Sequence, residues 1–302
     1  MQVSAVDFSS FINIPTPLKR LCHPLFEEKE VEVWLKEDYK THEAVSGNKF
    51  RKLKYNLIEA QNKSFETLLT FGGAYSNHIY AVASAAKELG FKSVGIIRGD
   101  ELNEHSSPTL SFASKMGMEL HFVSRSAYRD KEEIVRKLDD KYFLIPEGGS
   151  NELALKGVSE MVDEILNEIQ PKHLITAAGT GGTAAGILSN ENFRGECWVV
   201  PVLKNGGFIK QEIESFLHRS EDRIQLFTDY HFGGYGRWND KLSYFIESFE
   251  YDFNIPLDPV YTGKLLFAVM DLIRKDQFPP NSKLVIYHSG GLQGSPKYYK
   301  TK

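Results

Sequence analysis

Cysteine is scarce in this chain, two among 302 residues, which excludes both a disulfide scaffold and a thiolate metal centre. Cys22 and Cys197 are far apart and sit in no metal or redox spacing, so they are expected as reduced thiols that fill space. A basic block is also missing. Lys and Arg number 36 against 40 Asp and Glu, a formal net charge of -4, and that balance argues against a nucleic acid or an anionic membrane as partner. No apolar run approaches the roughly 20 residues of a membrane-spanning helix. The opening Met1-Gln2-Val3-Ser4-Ala5-Val6-Asp7 lacks the basic-then-apolar order of a targeting segment. A cytoplasmic protein that handles small molecules is expected, without metal.

Repeats, low-complexity tracts and flexible linkers are likewise absent from the sequence. What is present is a hydrophobic share of 41% with 25% charged residues, the balance of a soluble globular chain long enough for a large core. Short β-rich runs alternate with longer helical patterns, the signature of an α/β protein with mainly parallel sheets. Strands are predicted over Val31 to Lys36, Thr67 to Phe71, Ser93 to Ile97, Glu119 to Val123, Leu174 to Ala177, Trp198 to Leu203 and Lys283 to Tyr287. Helices are predicted over Phe50 to Gln61, Ser76 to Leu89, Ser107 to Met116, Lys131 to Leu138, Ala154 to Ile169, Thr183 to Ser189, Gly207 to Leu217 and Thr262 to Lys275. Glycines punctuate the strand-to-helix junctions, where such folds place their ligands.

The segment Ser46-Gly47-Asn48-Lys49-Phe50-Arg51-Lys52-Leu53 sets a lysine where a glycine turn meets a helix start. Partial positive charge at a helix N-terminus, with Arg51 and Lys52 adjacent, disfavours the ammonium form of Lys49. A neutral amine is a nucleophile, and Schiff-base lysines are activated in this way. The competing reading is a solvated surface lysine, the common fate of the residue type.

Two glycine junctions supply the context. Gly179-Thr180-Gly181-Gly182-Thr183 follows an apolar run and opens an alanine-rich helix, so its backbone can curl round an anion while two threonine hydroxyls donate to it. It lacks the Gly-Lys-Ser/Thr ending of an ATP-binding loop. Gly179, Gly181 and Ala184 also meet a loose dinucleotide spacing, but the next strand ends in Pro201-Val202-Leu203-Lys204 with no acid to hold a ribose. A phosphate monoester fits better, and a purely structural turn stays open. In Gly72-Gly73-Ala74-Tyr75-Ser76-Asn77-His78, free N–H groups and the Ser76 hydroxyl suit a carboxylate, and Asn77 can hydrogen-bond a phenolic oxygen. An ordinary capped junction has the same look. Taken together, an imine-forming lysine, a phosphate cup and a carboxylate cup imply pyridoxal 5'-phosphate acting on an amino acid.

The motifs occur in a telling order. Pro15-Thr16-Pro17-Leu18, the Gly47 to Leu53 segment, Gly73 to His78, Gly148-Gly149-Ser150-Asn151, Gly179 to Thr183, Gly233-Gly234-Tyr235-Gly236, Asp258-Pro259-Val260-Tyr261-Thr262-Gly263-Lys264 and His288-Ser289-Gly290-Gly291 follow one another along nearly the whole chain. Together they resemble the 1-aminocyclopropane-1-carboxylate deaminase and D-cysteine desulfhydrase family. That resemblance implies a fold-type-II, tryptophan-synthase β-like pyridoxal-phosphate enzyme with two open, twisted, mainly parallel sheets and helices on both faces. It implies a larger cofactor domain from residues 1–50 and 158–302, a smaller α/β domain from 51–157 that closes over substrate, and a homodimer.

By the same resemblance Lys49 carries the cofactor and acts as base, Asn77 contacts its phenolic oxygen, and Thr180, Gly181, Gly182 and Thr183 bind its phosphate. Ser76, Asn77 and His78 hold the substrate carboxylate, with Ser76 and Tyr261 catalytic and Tyr235 and Tyr261 on the substrate side. Lys52 matches a second lysine of the family motif; a solvated helix lysine is its other reading.

Two positions separate the branches. Deaminases of the family resemble one another in glutamate after the Asp-Pro-Val-Tyr tyrosine and leucine in the His-x-Gly-Gly motif, whereas desulfhydrases have threonine at both; here these are Thr262 and Ser289. A carboxylate facing the pyridine nitrogen would deepen the electron sink, as opening a cyclopropane requires, and a hydroxyl leaves a weaker sink that suits β-elimination. D-cysteine or a related β-substituted D-amino acid is therefore the expected substrate. The deaminase giving 2-oxobutanoate and ammonia is the alternative, and a non-catalytic carrier of the cofactor is a third. Tyr75, Glu147 and the Tyr287-His288 pair depart from better-known members and are expected to crowd the pocket.

Overall fold

A computed structural model describes residues 6–138 and 141–295 of the chain. Met1 to Ala5, the start of the segment read for a targeting signal, lie outside the described residues. The strands are β1 (Leu18–Leu21), β2 (Glu32–Lys36), β3 (Thr67–Gly72), β4 (Lys92–Arg98), β5 (Met118–Val123), β6 (Tyr142–Ile145), β7 (His173–Ala178), β8 (Glu196–Pro201), β9 (Ile224–Leu226) and β10 (Lys283–Tyr287). The helices are α1 (Pro24–Glu28), α2 (Asn48–Asn62), α3 (Asn77–Leu89), α4 (Pro108–Lys115), α5 (Lys131–Arg136), α6 (Glu152–Leu166), α7 (Gly182–Leu188), α8 (Ile209–Leu217), α9 (Asp240–Phe253) and α10 (Thr262–Arg274).

The strands form two sheets, in the orders β1-β2-β10-β7-β8-β9 and β5-β4-β3-β6. Every pairing is parallel except β1 with β2. Parallel sheets need cover on both faces, and alternation along each strand divides the apolar residues accordingly. In the six-stranded sheet Ile175 and Ala177 join the core that holds Leu242 and Phe249 of α9 and Leu265 of α10. Leu174 and Ala178 point the other way, into the core that holds Val158 of α6, Ala184 of α7 and Ile213 of α8. The four-stranded sheet packs Leu68 and Ile97 against α2, α3 and α4, and sets Leu69 and Phe71 beside Tyr128 on its other face.

Helix α2 joins the two halves. It lies against α6, and Gly157 lets them touch, since a Cβ there would sit 1.9 Å from the Arg51 carbonyl oxygen. Arg51 is fully buried. Its guanidinium grips Asp38 at 3.0 and 3.1 Å and Glu164 of α6 at 2.6 and 2.9 Å. Lys36 donates to Glu164 at 2.6 Å and to the Thr16 carbonyl at 2.5 Å, the Thr16 hydroxyl donates to Asp38, and the Tyr287 phenol donates to Asp38 at 2.8 Å. Burial pushes the Asp38 pKa up, but Arg51, Thr16 and Lys36 more than reverse this and hold it below the usual carboxylate value.

Several expectations are corrected here. Tyr287 does not crowd the pocket; it is a buried member of this ion-pair network. Cys197 is buried, but Cys22 is exposed and fills no space. The strands β1, β6 and β9 and the helices α1 and α9 were not anticipated, and the strand predicted to Leu203 ends at Pro201.

Removing one partner of a buried ion network strands the others. Arg51→Met should lower unfolding free energy by about 3–5 kcal/mol in denaturant titrations near neutral pH; a loss below about 1 kcal/mol would show that the network does not hold α2 in place.

Candidate active site

Strands β3, β7 and β10 all end at one cavity of about 340 Å³, where the carboxyl ends of parallel strands leave a crevice. Its wall includes Lys49, Lys52, Ser76, Asn77, His78, Thr180, Gly181, Thr183, Tyr235, Tyr261 and Ser289. Of the expected site residues, Gly182 and Thr262 are not in that wall.

The start of α2 is fixed by backbone contact with the loop after β10. Gly47 adopts φ +56°, and a Cβ on it would lie 2.0 Å from the Ser289 carbonyl oxygen, so only glycine fits. The Asn48 N–H donates to that same oxygen at 3.1 Å. Lys49 follows as the second residue of the helix, in the cavity wall, and among the described residues no hydrogen bond or ion pair engages its amine. Burial lowers its pKa to about 8. The sequence argument reached the right direction by the wrong cause, because Arg51 turns away into its carboxylate cage and desolvation alone accounts for the shift.

Lys52, one turn on, is not a solvated helix lysine. It is buried, its amine donates to Ser150 Oγ at 2.9 Å, and Ser150 Oγ lies 3.1 Å from Thr180 Oγ1. Burial, then the neighbouring Lys49, push its pKa well below the ordinary lysine value. Asn48 Nδ2 donates to Thr183 Oγ1 at 3.2 Å. Hydroxyls and an amine thus gather beside the Gly179 to Thr183 turn, in which Gly181 has φ +74°. Gly182 lies behind this wall, and a Cβ on it would come 2.5 Å from Ser150 Oγ. Ser150 lies in the Gly148 to Asn151 motif, and no local sequence signal marks its hydroxyl as a partner of Lys52.

Ser76 caps α3, accepting from the Ile79 N–H at 3.3 Å, and sets Asn77 at the first turn. Gly291 leaves room for Asn77, whose Nδ2 would be 2.8 Å from a Cβ there. His78 is buried, with Nε2 2.8 Å from Thr70 Oγ1. Thr70 gives its own proton to the Ile145 carbonyl, so His78 must donate from Nε2, and its Nδ1 is an acceptor without a partner. Burial first, then Lys49 and Lys52, hold this ring neutral, with a pKa well below the usual histidine value. A neutral ring that offers only an acceptor is a poor carboxylate ligand, whereas Ser76 and Asn77 carry groups that can donate.

Tyr261 and Tyr235 pack edge to face with ring centres 6.0 Å apart. The Tyr261 phenol pKa is raised well above the ordinary tyrosine value by burial and then by Tyr235, so the group keeps its proton. Lys264 of α10 donates to the Gly234 carbonyl at 2.8 Å and so anchors the loop that carries Tyr235. Thr262 is fully buried, and its hydroxyl donates to Asp258 Oδ2 at 2.6 Å while accepting from the Asp258 N–H at 2.9 Å. That hydroxyl closes a turn and is not presented to the cavity, contrary to expectation. Tyr75 and Glu147 do line the wall, Glu147 in an ion pair with Lys131 at 2.8 Å. Arg98, at the end of β4, lines it too and was not foreseen.

An unengaged amine of lowered pKa beside a ring of hydroxyls and glycine turns fits an aldehyde cofactor that carries a phosphate. The comparisons agree. Residues 10–194, more than half of the chain, match the family model described as pyridoxal-phosphate dependent enzyme. A protein of Pyrococcus horikoshii named a "putative 1-aminocyclopropane-1-carboxylate deaminase" is 31% identical over 94% of this chain and 91% of its own length. The mitochondrial bifunctional D-cysteine desulfhydrase/1-aminocyclopropane-1-carboxylate deaminase of Arabidopsis thaliana is 27% identical over 94% of this chain and 78% of its own. A crystal structure of a 1-aminocyclopropane-1-carboxylate deaminase homologue superposes with a TM-score of 0.80 at 30% identity, covering 96% of this chain and 94% of the other. The chain belongs to the pyridoxal-phosphate dependent enzymes, in the group of 1-aminocyclopropane-1-carboxylate deaminases and D-cysteine desulfhydrases, and its cofactor is pyridoxal 5'-phosphate.

Only the neutral amine attacks an aldehyde. Cofactor capture by apoprotein, followed by absorption, should therefore accelerate as pH rises through about 8 and level off above it. A rate that keeps rising toward the ordinary lysine pKa would contradict the burial of Lys49.

Proposed function

We propose that this chain is a lyase that removes the β-substituent of D-cysteine or a related β-substituted D-amino acid, releasing pyruvate, ammonia and, from D-cysteine, sulfide. One observation carries the reading. Among the described cavity-lining residues the only carboxylate is Glu147, already paired with Lys131, whereas Ser289 brings a hydroxyl to the wall beside the Gly47 turn. A wall that offers hydroxyls to the cofactor ring favours a weak electron sink, and a weak sink suffices when a good leaving group sits on Cβ.

When bound, pyridoxal phosphate supplies an electron-withdrawing ring that stabilises negative charge at the substrate Cα. Lys49 would hold it, and the lysine's own amine, when free, would take the Cα proton as general base. Lys52, Ser150, Thr180, Thr183 and the Gly181 turn hold the phosphate, and Asn77 orients the phenolic oxygen. Ser76 and Asn77 receive the substrate carboxylate at the start of α3. Tyr261, which retains its proton, stands on the substrate side with Tyr235 as a donor toward the departing sulfur. Residues 51–157 close over the substrate and exclude water. The reading includes action in the cytoplasm as a homodimer; among the described residues no helix is long and apolar enough to cross a membrane.

The second reading is a 1-aminocyclopropane-1-carboxylate deaminase, favoured by the names of the Pyrococcus and Arabidopsis relatives. Purified holoenzyme offered D-cysteine, L-cysteine and 1-aminocyclopropane-1-carboxylate should release sulfide and pyruvate from D-cysteine at the highest kcat/KM. Efficient formation of 2-oxobutanoate without sulfide from D-cysteine would replace the first reading by the second.

A further inference from the structure

Among the described residues Arg98 is the one cation of the cavity wall that the proposed chemistry leaves without a task. It ends β4, next to β3 in a register that pairs Ile97 with Gly72. The guanidinium therefore comes alongside Gly73, at the base of the loop that carries Ser76 and Asn77. A Cβ on Gly73 would be 3.6 Å from Arg98 Nη2, so the bare glycine leaves the face of the loop open to the cation.

Its surroundings do not neutralise it. The Arg98 guanidinium carbon lies 5.7 Å from the centre of the Tyr128 ring, and the Lys131 amine lies 4.9 Å from the same ring. Lys131 is committed to Glu147 at 2.8 Å. Among the described residues no carboxylate pairs with Arg98, and the only acidic residue of the wall is taken by another cation.

The position within the pocket can be read from what the charge reaches. Burial raises the pKa of Tyr235, and Arg98 acts on that phenol as a modest opposing influence. Exposed at the end of β4, Arg98 belongs to the outer part of the cavity that the exposed Tyr235 also lines, away from the buried Lys52 and His78. An amino acid held at its amine by the cofactor and at its carboxylate by Ser76 and Asn77 would extend its side chain into this outer space.

We infer that Arg98 is a specificity-determining residue that selects β-substituted amino acids bearing an anionic group, a carboxylate foremost, on the leaving substituent. A guanidinium matches a carboxylate in two parallel hydrogen bonds, a geometry that a neutral amide does not reproduce. The inference rests on the elimination reading above for its kinetic readout.

The test uses holoenzyme with S-carboxymethyl-D-cysteine and S-carbamoylmethyl-D-cysteine, which are close in size and differ by one negative charge. In the reaction of the first, the Cα proton passes to Lys49, the Cβ–S bond breaks with its electron pair going to sulfur, and a proton completes mercaptoacetate. Water then converts the remaining fragment to pyruvate and ammonia.

The wild type should favour the acid over the amide by about tenfold or more in kcat/KM, the effect of one charge-assisted hydrogen bond. In Arg98→Gln the ratio should fall to about one, and Arg98→Lys should retain part of it. A wild-type ratio of one or below overturns the inference, as does a ratio that survives in Arg98→Gln. Equal losses for both compounds would assign Arg98 to the α-carboxylate instead and overturn it as well. If neither compound is turned over, sulfide release from D-cysteine still decides the elimination reading by itself, and the ratio of their dissociation constants from calorimetry decides the role of Arg98 on the same terms.

Discussion

The active site depends on how the first turn of α2 is held, and a buried ion network does the holding. Successive helical residues are about 100° apart, so Arg51 points about 200° from Lys49 while Lys52 returns to within about 60° of it. One turn thus sorts three cations. Arg51 goes back into the cage of Asp38 and Glu164, where its charge is matched, and Lys49 and Lys52 go into the cavity, where theirs are not. On the far side the Gly47 backbone is wedged against Ser289. Between these two anchors the helix start has little freedom to slide or roll.

Electrostatics follow from that placement. Both cavity lysines lose hydration, and Lys49 makes Lys52 harder still to protonate, so the pocket favours neutral amines until an anion arrives. His78 is kept neutral by the same burial and by the same lysines. In the proposed reading a phosphate beside Lys52, Ser150 and Thr180 would supply the missing negative charge and so couple cofactor binding to the protonation of Lys52. The network around Arg51 is already neutralised within the protein and takes no part in this exchange.

What the chain revealed as a sequence was what is encoded locally. Glycine junctions after β3 and β7, the capping residue Ser76 and the lysine after Gly47 are properties of a few adjacent residues, and each stands where it was expected. Helix α9 went unrecognised although Leu242, Ile246 and Phe249 are buried at helical spacing, because its aromatic content reads equally as strand. The role of Lys52 could not be separated from a surface lysine, since Ser150 and Thr180 reach it only through the packing of α2 near the large sheet. Thr262 misled for the opposite reason: its motif is local, but Asp258, four residues before it, captures the hydroxyl. Arg98 carried no signal beyond its place at a strand end, and only the parallel pairing of β3 and β4 brings it to the pocket.

The central claim is that Lys49, and not its neighbour Lys52, is the amine that joins the cofactor. Borohydride reduction of the holoenzyme followed by peptide mapping reads this directly, because reduction makes the link permanent at whichever lysine holds it. The account predicts a single pyridoxyl label on Lys49, lost in Lys49→Ala and retained in Lys52→Gln at lower cofactor affinity. A label on Lys52 or on any other lysine of the wild-type protein would contradict it.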